Sequence, residues 1–331
     1  MSQAAFLSFG CHNITGGSSL RKSIRLIHCA MDCGITKFDV APSYGLGTAE
    51  NVLGRALQNR SSGVQITTKF GLEPRRFGTI LALGREPYRW LARVNRPIMQ
   101  RIAPSQIRGA NRQQQGPSGE SWMGDEPAKI LPTWSRSRYL GPKKSLERSL
   151  RALRIDRVDT LLTHEALDAS RLSEHKADLE LARRGGLMVW FGLSGQAEAV
   201  EKNFSCFDGL IQVAQVSVED VHRFVGLATL RCFGSVRFLR HKIAEWSQTN
   251  ELYQEELFDA LSDVELLPDR FALAAMAVSR ALFPQTTLIV TSSSELHIAN
   301  VVRYLGDPNL MSWATAHRAV HERLVSGVHP G

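Results

Sequence analysis

Eight short runs rich in β-branched and aromatic residues recur along the chain: Phe6 to Gly10, Ile35 to Val40, Val64 to Thr68, Val158 to Thr163, Leu187 to Leu193, Leu210 to Val216, Ala228 to Phe233 and Thr287 to Thr291. Between most of them lie apolar residues at helical spacing, as in Leu20, Ile24, Ile27 and Met31, or Leu146, Leu150 and Leu153. Strands that alternate with helices make a parallel sheet, because parallel neighbours need a long crossover. An open doubly wound sheet and a closed (β/α)8 barrel both satisfy this rhythm. The count of eight, and the lack of G-x-G-x-x-G after the first run, favour the barrel. The expected fold is therefore α/β: a single (β/α)8 TIM-barrel domain over residues 1–331.

One interval breaks the rhythm. From Gly71 to Tyr139 the chain carries several prolines, a polar stretch at Asn111 to Gly119 and a concentration of arginine. Residues 75 to 112 hold nine arginines and one acid, Glu86, which equals the whole formal net charge of +8. So long an interval reads as an insertion, 71–139, following the third strand on the active-site face of a barrel. Arg85, Arg89, Arg93 and Arg96 recur at near-helical spacing, a basic face that could rest on a membrane surface or attract an anion. No aromatic-basic motif accompanies them, so no nucleic-acid partner is expected.

Hydrophobic residues make up 43% and charged residues 22%, a mixture suited to a buried core rather than to disorder. No run of about 18 apolar residues is present, and Met1 to Phe9 lacks the basic start of a leader peptide. Cys11, Cys29, Cys33, Cys206 and Cys232 are odd in number and without CxxC spacing, against a disulfide framework or structural zinc. A cytoplasmic location is expected. His28, Cys29 and Cys33 lie close on one helix, where the apolar pattern suggests core thiols and no metal site.

In a barrel, polar residues at the carboxyl ends of strands converge on one pocket. Asp39 ends the second run, Tyr44 follows it, Lys69 ends the third and His164 ends the fourth. An ammonium favours a phenolate and would lower the tyrosine pKa, while a buried carboxylate keeps that ammonium charged. A neutral imidazole can donate to a substrate oxygen. Together these types can protonate a carbonyl oxygen as hydride reaches its carbon.

The stretch Phe38-Asp-Val-Ala-Pro-Ser-Tyr44-Gly45, with Thr48-Ala-Glu50 and Leu53-Gly54, resembles the aldo-keto reductase signature. Thr67-Thr-Lys69-Phe-Gly71 is similar to that family's lysine strand, and Ser145 to Leu150 with Asp156 to His164 resembles its helix, strand and histidine. The resemblance implies a catalytic tetrad of Asp39, Tyr44, Lys69 and His164, with Tyr44 as general acid. It implies an oxidoreductase that uses NADP or NAD and passes hydride between nicotinamide and a small-molecule aldehyde, ketone or alcohol, sugar-like or anionic substrates included.

By the same resemblance Ser194 and Gln212 hold the nicotinamide amide and Phe233 stacks on its ring. Thr291, Ser292, Ser293 and Asn300 belong to a phosphate-binding turn before the last helix. Where the family usually has asparagine after the serine, this chain has Gly195. No lysine or arginine stands at the recognisable 2′-phosphate positions, which predicts a weak preference between the two cofactors. His317, His321 and His329 read as a solvated C-terminal face. Two other readings remain open at this point: a nicotinamide-binding barrel with a regulatory role, and a membrane-associated protein that works through its basic insertion.

Overall fold

The computed structural model describes residues 4–73, 138–165, 169–204, 209–224, 231–264 and 267–326. In chain order the strands are β1 (Leu7–Gly10), β2 (Lys37–Asp39), β3 (Gln65–Glu73), β4 (Arg138–Leu140), β5 (Val158–Thr163), β6 (Met188–Ser194), β7 (Val213–Ser217), β8 (Arg231–Ser235) and β9 (Thr287–Val290). Eight of them close into one ring: β1 pairs with β2, β2 with β3, β3 with β5, and so on to β9, which returns to β1. Every pairing in the ring is parallel. The chain is a closed (β/α)8 barrel, and all strand carboxyl ends lie on one face.

Helices surround the ring: α1 (Leu20–Asp32), α2 (Ala49–Ala56), α3 (Pro142–Leu153), α4 (Ala169–Glu174), α5 (Lys176–Arg184), α6 (Ala197–Phe204), α7 (Arg237–Thr249), α8 (Glu251–Ala260), α9 (Leu267–Leu282), α10 (Glu295–Tyr304), α11 (Pro308–Ala316) and α12 (Arg318–Ser326). The sequence explains their limits. In α1 the buried positions Ser23, Leu26, Ile27 and Ala30 fall at 3.6-residue spacing. Helix α3 begins with Pro142, which needs no amide partner there, and ends at Arg154 in the left-handed region, φ 61°. Helix α11 starts on Asp307, whose carboxylate accepts from the Asn309 and Leu310 amides.

The core has two parts. A large cluster joins the outward residues of the strands, among them Phe9, Phe38, Leu161 and Phe191, to the helices. A separate group, Leu162 and Val213 with Trp190 and Ile289, comes from strands only. Because side chains alternate along a strand, Leu162 faces opposite to Leu161 and fills the inside of the ring. Gly54 lets α2 reach α3: a Cβ there would stand 2.6 Å from the Ala152 and Leu153 carbonyl oxygens.

Strand β4 lies outside the ring. Its three residues pair antiparallel with the end of β3, Gly71 opposite Leu140 and Glu73 opposite Arg138. The interval between them thus leaves and rejoins the barrel at one place above the third strand. The Tyr139 ring stacks on His175 at 5.8 Å between centroids, its hydroxyl bonds the His175 Nε2, and Arg171 lies 5.2 Å over it. The arginine cluster at 75 to 112 lies outside the described residues, as does His329.

Two local expectations are corrected. Cys29 and Cys33 are half-buried against the core rather than inside it, whereas Cys11 is fully enclosed. His321 is 0% exposed, because α12 folds its polar face against α8 and α11 instead of water.

Candidate active site

Asp39 and Lys69 reach the carboxyl-end face from adjacent strands, and both are buried, at 3% and 2% exposure. The Lys69 Nζ donates to both Asp39 oxygens at 2.7 Å and approaches the Val40 carbonyl at 3.5 Å. The Gln215 Nε2 donates to Asp39 Oδ2 at 2.8 Å. Such a pair survives burial only because its donors and acceptors are met. Flanking polar contacts fix the register that brings it together. Thr68 Oγ1 donates to buried Glu50 of α2 at 2.7 Å, and the Ile66 amide donates to Asp159 of β5 at 2.7 Å.

Tyr44 opens a short turn, Tyr44–Gly47, between β2 and α2. The turn depends on Gly45, whose φ is +57° and whose place a Cβ could not share, standing 1.9 Å from the Ile14 carbonyl oxygen. Thr48 ties the same turn down, donating to the Gly45 carbonyl at 2.6 Å and accepting from the Gly16 amide at 2.9 Å. Tyr44 is thereby held with Lys69 5.0 Å from its ring centroid. The His164 ring stands edge-on to it at 5.6 Å, and the His12 ring at 5.0 Å.

The electrostatics correct one expectation. Burial raises the Tyr44 pKa above its ordinary 10, and the opposing pull of Lys69 does not overcome it. Tyr44 is therefore a neutral phenol with a proton to give. Burial disfavours the Lys69 ammonium, yet Asp39 and Tyr44 outweigh burial and lift its pKa above 10.5. Burial, then Lys69 and His12, push His164 down to about 3, so its imidazole is neutral. Its Nδ1 faces the Ser43 hydroxyl at 3.4 Å, and no described residue meets its Nε2.

The other expected positions divide. Ser194 ends β6 on this face, its amide donating to Thr163 Oγ1 at 3.2 Å and its backbone opposite Gln215. Phe233 lies on β8, its backbone opposite Gln215 and Thr287. Thr291, Ser292 and Ser293 follow β9 and lead into α10, where Ser294 caps the helix by accepting from the His297 amide. Ser292 is buried and bonds the His297 Nδ1 at 3.0 Å, Thr291 and Ser293 are exposed, and Asn300 is half-buried on α10. Gln212 is not brought to this face. It precedes the first residue of β7 and its Oε1 is buried without a partner, whereas Gln215, nearer the carboxyl end, bonds Asp39. Strand polarity was the available signal, since only the later glutamine of that run lies toward the catalytic end. His12, two residues beyond the β1 end, was also missed.

The arrangement offers a proton donor set beside a buried positive charge, with a neutral imidazole open to the pocket. That is suited to an oxygen atom that gains electron density during reaction.

The model of the aldo/keto reductase family matches residues 7–219. Among curated proteins, aldo-keto reductase YhdN of Bacillus subtilis is 38% identical over 60 residues, 18% of each chain. A probable aldo-keto reductase 1 of Glycine max is 37% identical over 87 residues, 25% of each. These matches span a quarter or less of either relative's length. Among solved structures, aldo-keto reductase AKR11C1 from Bacillus halodurans, in its holo form, superposes with a TM-score of 0.60 at 14% identity, covering 97% of this chain and 92% of that one. Glycerol dehydrogenase AKR11B4 from Gluconobacter oxydans gives 0.57 at 15%, covering 98% and 93%. An aldo/keto reductase from Klebsiella pneumoniae, in complex with NADP and acetate, gives 0.53 at 16%, covering 91% and 85%. These structural likenesses establish the fold. With a family model spanning more than half of its length, this chain belongs to the aldo/keto reductase family.

Proposed function

We propose that the protein is a nicotinamide-dependent oxidoreductase that interconverts a small carbonyl compound and its alcohol. The observation that carries this reading is the Lys69–Asp39 pair set against the neutral hydroxyl of Tyr44. The residues present fit a dinucleotide. Ser194 and Gln215 stand side by side on the catalytic face, and the exposed hydroxyls of Thr291 and Ser293 adjoin the amides that open α10. When bound, the nicotinamide supplies or accepts the hydride. Tyr44 gives its proton to the carbonyl oxygen, Lys69 steadies the phenolate that remains, and Asp39 keeps Lys69 charged. His164 donates a hydrogen bond that orients the same oxygen, and in the alcohol-oxidising direction Tyr44 takes the proton back.

NADPH and NADH are expected to bind with similar strength, because the turn into α10 and its first residues contain no lysine or arginine and the nearby Arg25 is paired with Glu295. The insertion is proposed to favour anionic carbonyl substrates through its arginines. The deciding experiment follows oxidation of NADPH and of NADH with a panel of aldehydes, keto-sugars and keto acids. Carbonyl-dependent oxidation that disappears in Tyr44→Phe supports the reading. Tight cofactor binding with no turnover on any carbonyl would overturn it in favour of a regulatory barrel.

A further inference from the structure

On the outside of the barrel, α1 carries two free thiols one helical turn apart: Cys29, and Cys33 at the residue that ends the helix. The Cys29 Sγ donates to the Glu295 carbonyl oxygen, 3.6 Å away, at the first residue of α10. A surface pocket of about 430 Å³ opens beside them, lined by Arg25, His28, Cys29, Asp32, Cys33 and Glu295. The catalytic scheme uses none of these groups.

Spacing decides what such a pair can hold. Residues four apart on a helix have Cβ atoms about 5–6 Å apart. A disulfide needs about 3.5–4.5 Å, so a direct S–S bond would require the helix end to distort. One bridging atom between the sulfurs spans the gap without that movement. The two sulfurs offer a two-ligand site, and among the described residues no group of three or more His, Cys, Asp or Glu side chains is placed to hold a metal ion.

We propose that Cys29 and Cys33 form a bidentate site for a trivalent, thiophilic centre of the arsenical class, seated against the start of α10. In the step, an organoarsenic(III) dihydroxide loses two As–O bonds and gains two As–S bonds. Each thiol proton leaves in a water molecule, arsenic stays trivalent and nothing is oxidised or reduced. The pocket houses the organic group on arsenic. Burial and the neighbouring Cys33 push the Cys29 thiol up to about 11, which slows any reagent attacked through the thiolate, while the two As–S bonds and the two released waters still favour the chelate. Occupation also removes the S–H donor from the Glu295 carbonyl at the helix start. If the proposed cofactor reading holds, dinucleotide affinity falls with it.

The test uses phenylarsine oxide on the full chain, with bound phenylarsine counted by intact-mass spectrometry. The expected result is one phenylarsine per chain that survives excess monothiol and is stripped by dithiothreitol. In Cys29→Ser and in Cys33→Ser, retention weakens by about 100-fold or more with loss of the chelate. Retention in either variant equal to that of the parent chain, or no monothiol-resistant adduct in the parent chain, would overturn the site. A fluorescence titration with NADPH then separates the two readings. An adduct that binds NADPH as well as the free chain overturns the coupling to α10. An unmodified chain that binds no NADPH removes the cofactor reading and leaves the adduct result standing.

Discussion

Tyr44 pairs with His164 at the barrel mouth, and Tyr253 pairs with His321 beneath the C-terminal helices. In both, burial raises the tyrosine and lowers the imidazole, His164 to about 3 and His321 to about 4. Their surroundings differ. The His321 Nδ1 donates to the Ala314 carbonyl at 3.0 Å, so its Nε2 accepts from the Tyr253 hydroxyl, also at 3.0 Å, and the ring has no capacity left. At the mouth, the His164 Nε2 meets no described residue, and a buried ammonium stands over the tyrosine ring. A depressed imidazole therefore does not mark a catalytic site by itself. Unspent hydrogen-bonding capacity beside a buried charge does.

Lys69→Met attacks the feature that the second pair lacks, and should have the largest effect. It strands the Asp39 carboxylate in the interior, costing about 3–5 kcal/mol of stability, which denaturant titration would read. Turnover should be lost as well. A folded and active Lys69→Met variant would erase the distinction between the two pairs.

Removing one hydroxyl from each pair sharpens it. Tyr44→Phe should lower turnover by about 100-fold or more while leaving cofactor affinity and melting temperature nearly unchanged. Tyr253→Phe should do the reverse, keeping turnover and lowering the melting temperature. Loss of activity in both would show the C-terminal pair to be coupled to the chemistry.

The smaller effects concern pH and the neighbouring glutamines. His321→Leu leaves the Tyr253 hydroxyl and the Ala314 carbonyl unmatched, a cost of about 2 kcal/mol at neutral pH. The folded pKa of His321, about 4, lies below its ordinary 6.5, so the unfolded chain takes up the proton first as pH falls. Its contribution is complete above 6.5 and declines toward pH 4. The gap between parent and His321→Leu in denaturant titrations should accordingly narrow across that window. Least of all, Gln215→Leu should lower kcat/KM about tenfold by removing a charge-assisted bond worth about 1.5 kcal/mol, whereas Gln212→Leu should leave it unchanged.

Much of the barrel was legible because parallel strands buried on both faces read as apolar runs with helical spacing between them. Asp39, Tyr44, Lys69 and His164 stood out together, because four groups able to share a proton come from consecutive strand ends and match the spacing of the aldo-keto reductase signature. Other features depend on partners distant in sequence. Nothing near His321 announces Tyr253, 68 residues earlier, and a helix with polar residues at the C-terminus resembles a solvated one. The direction of the Tyr44 shift hinges on burial, which residue types alone do not contain. β4 is too short for any periodicity, and only its pairing with Gly71–Glu73 defines it.

The ring closes between β1 and β9, with Leu7 opposite Leu288 and Phe9 opposite Val290, so its last seam joins segments at nearly opposite ends of the described chain. Contacts so distant in sequence form slowly. Strands β1, β2, β3 and β5 are successive neighbours, and the Asp39–Lys69 pair needs only two of them. A nascent chain can therefore assemble the charged heart of the pocket while β7, which carries Gln215, and β9 are still being made. Until β6 and β9 arrive, the edges of β5 and β1 stay unpaired and open to other strands. On the ribosome this barrel is a half-built sheet with its most polar residues already in place, a stage at which a chaperone has most to protect.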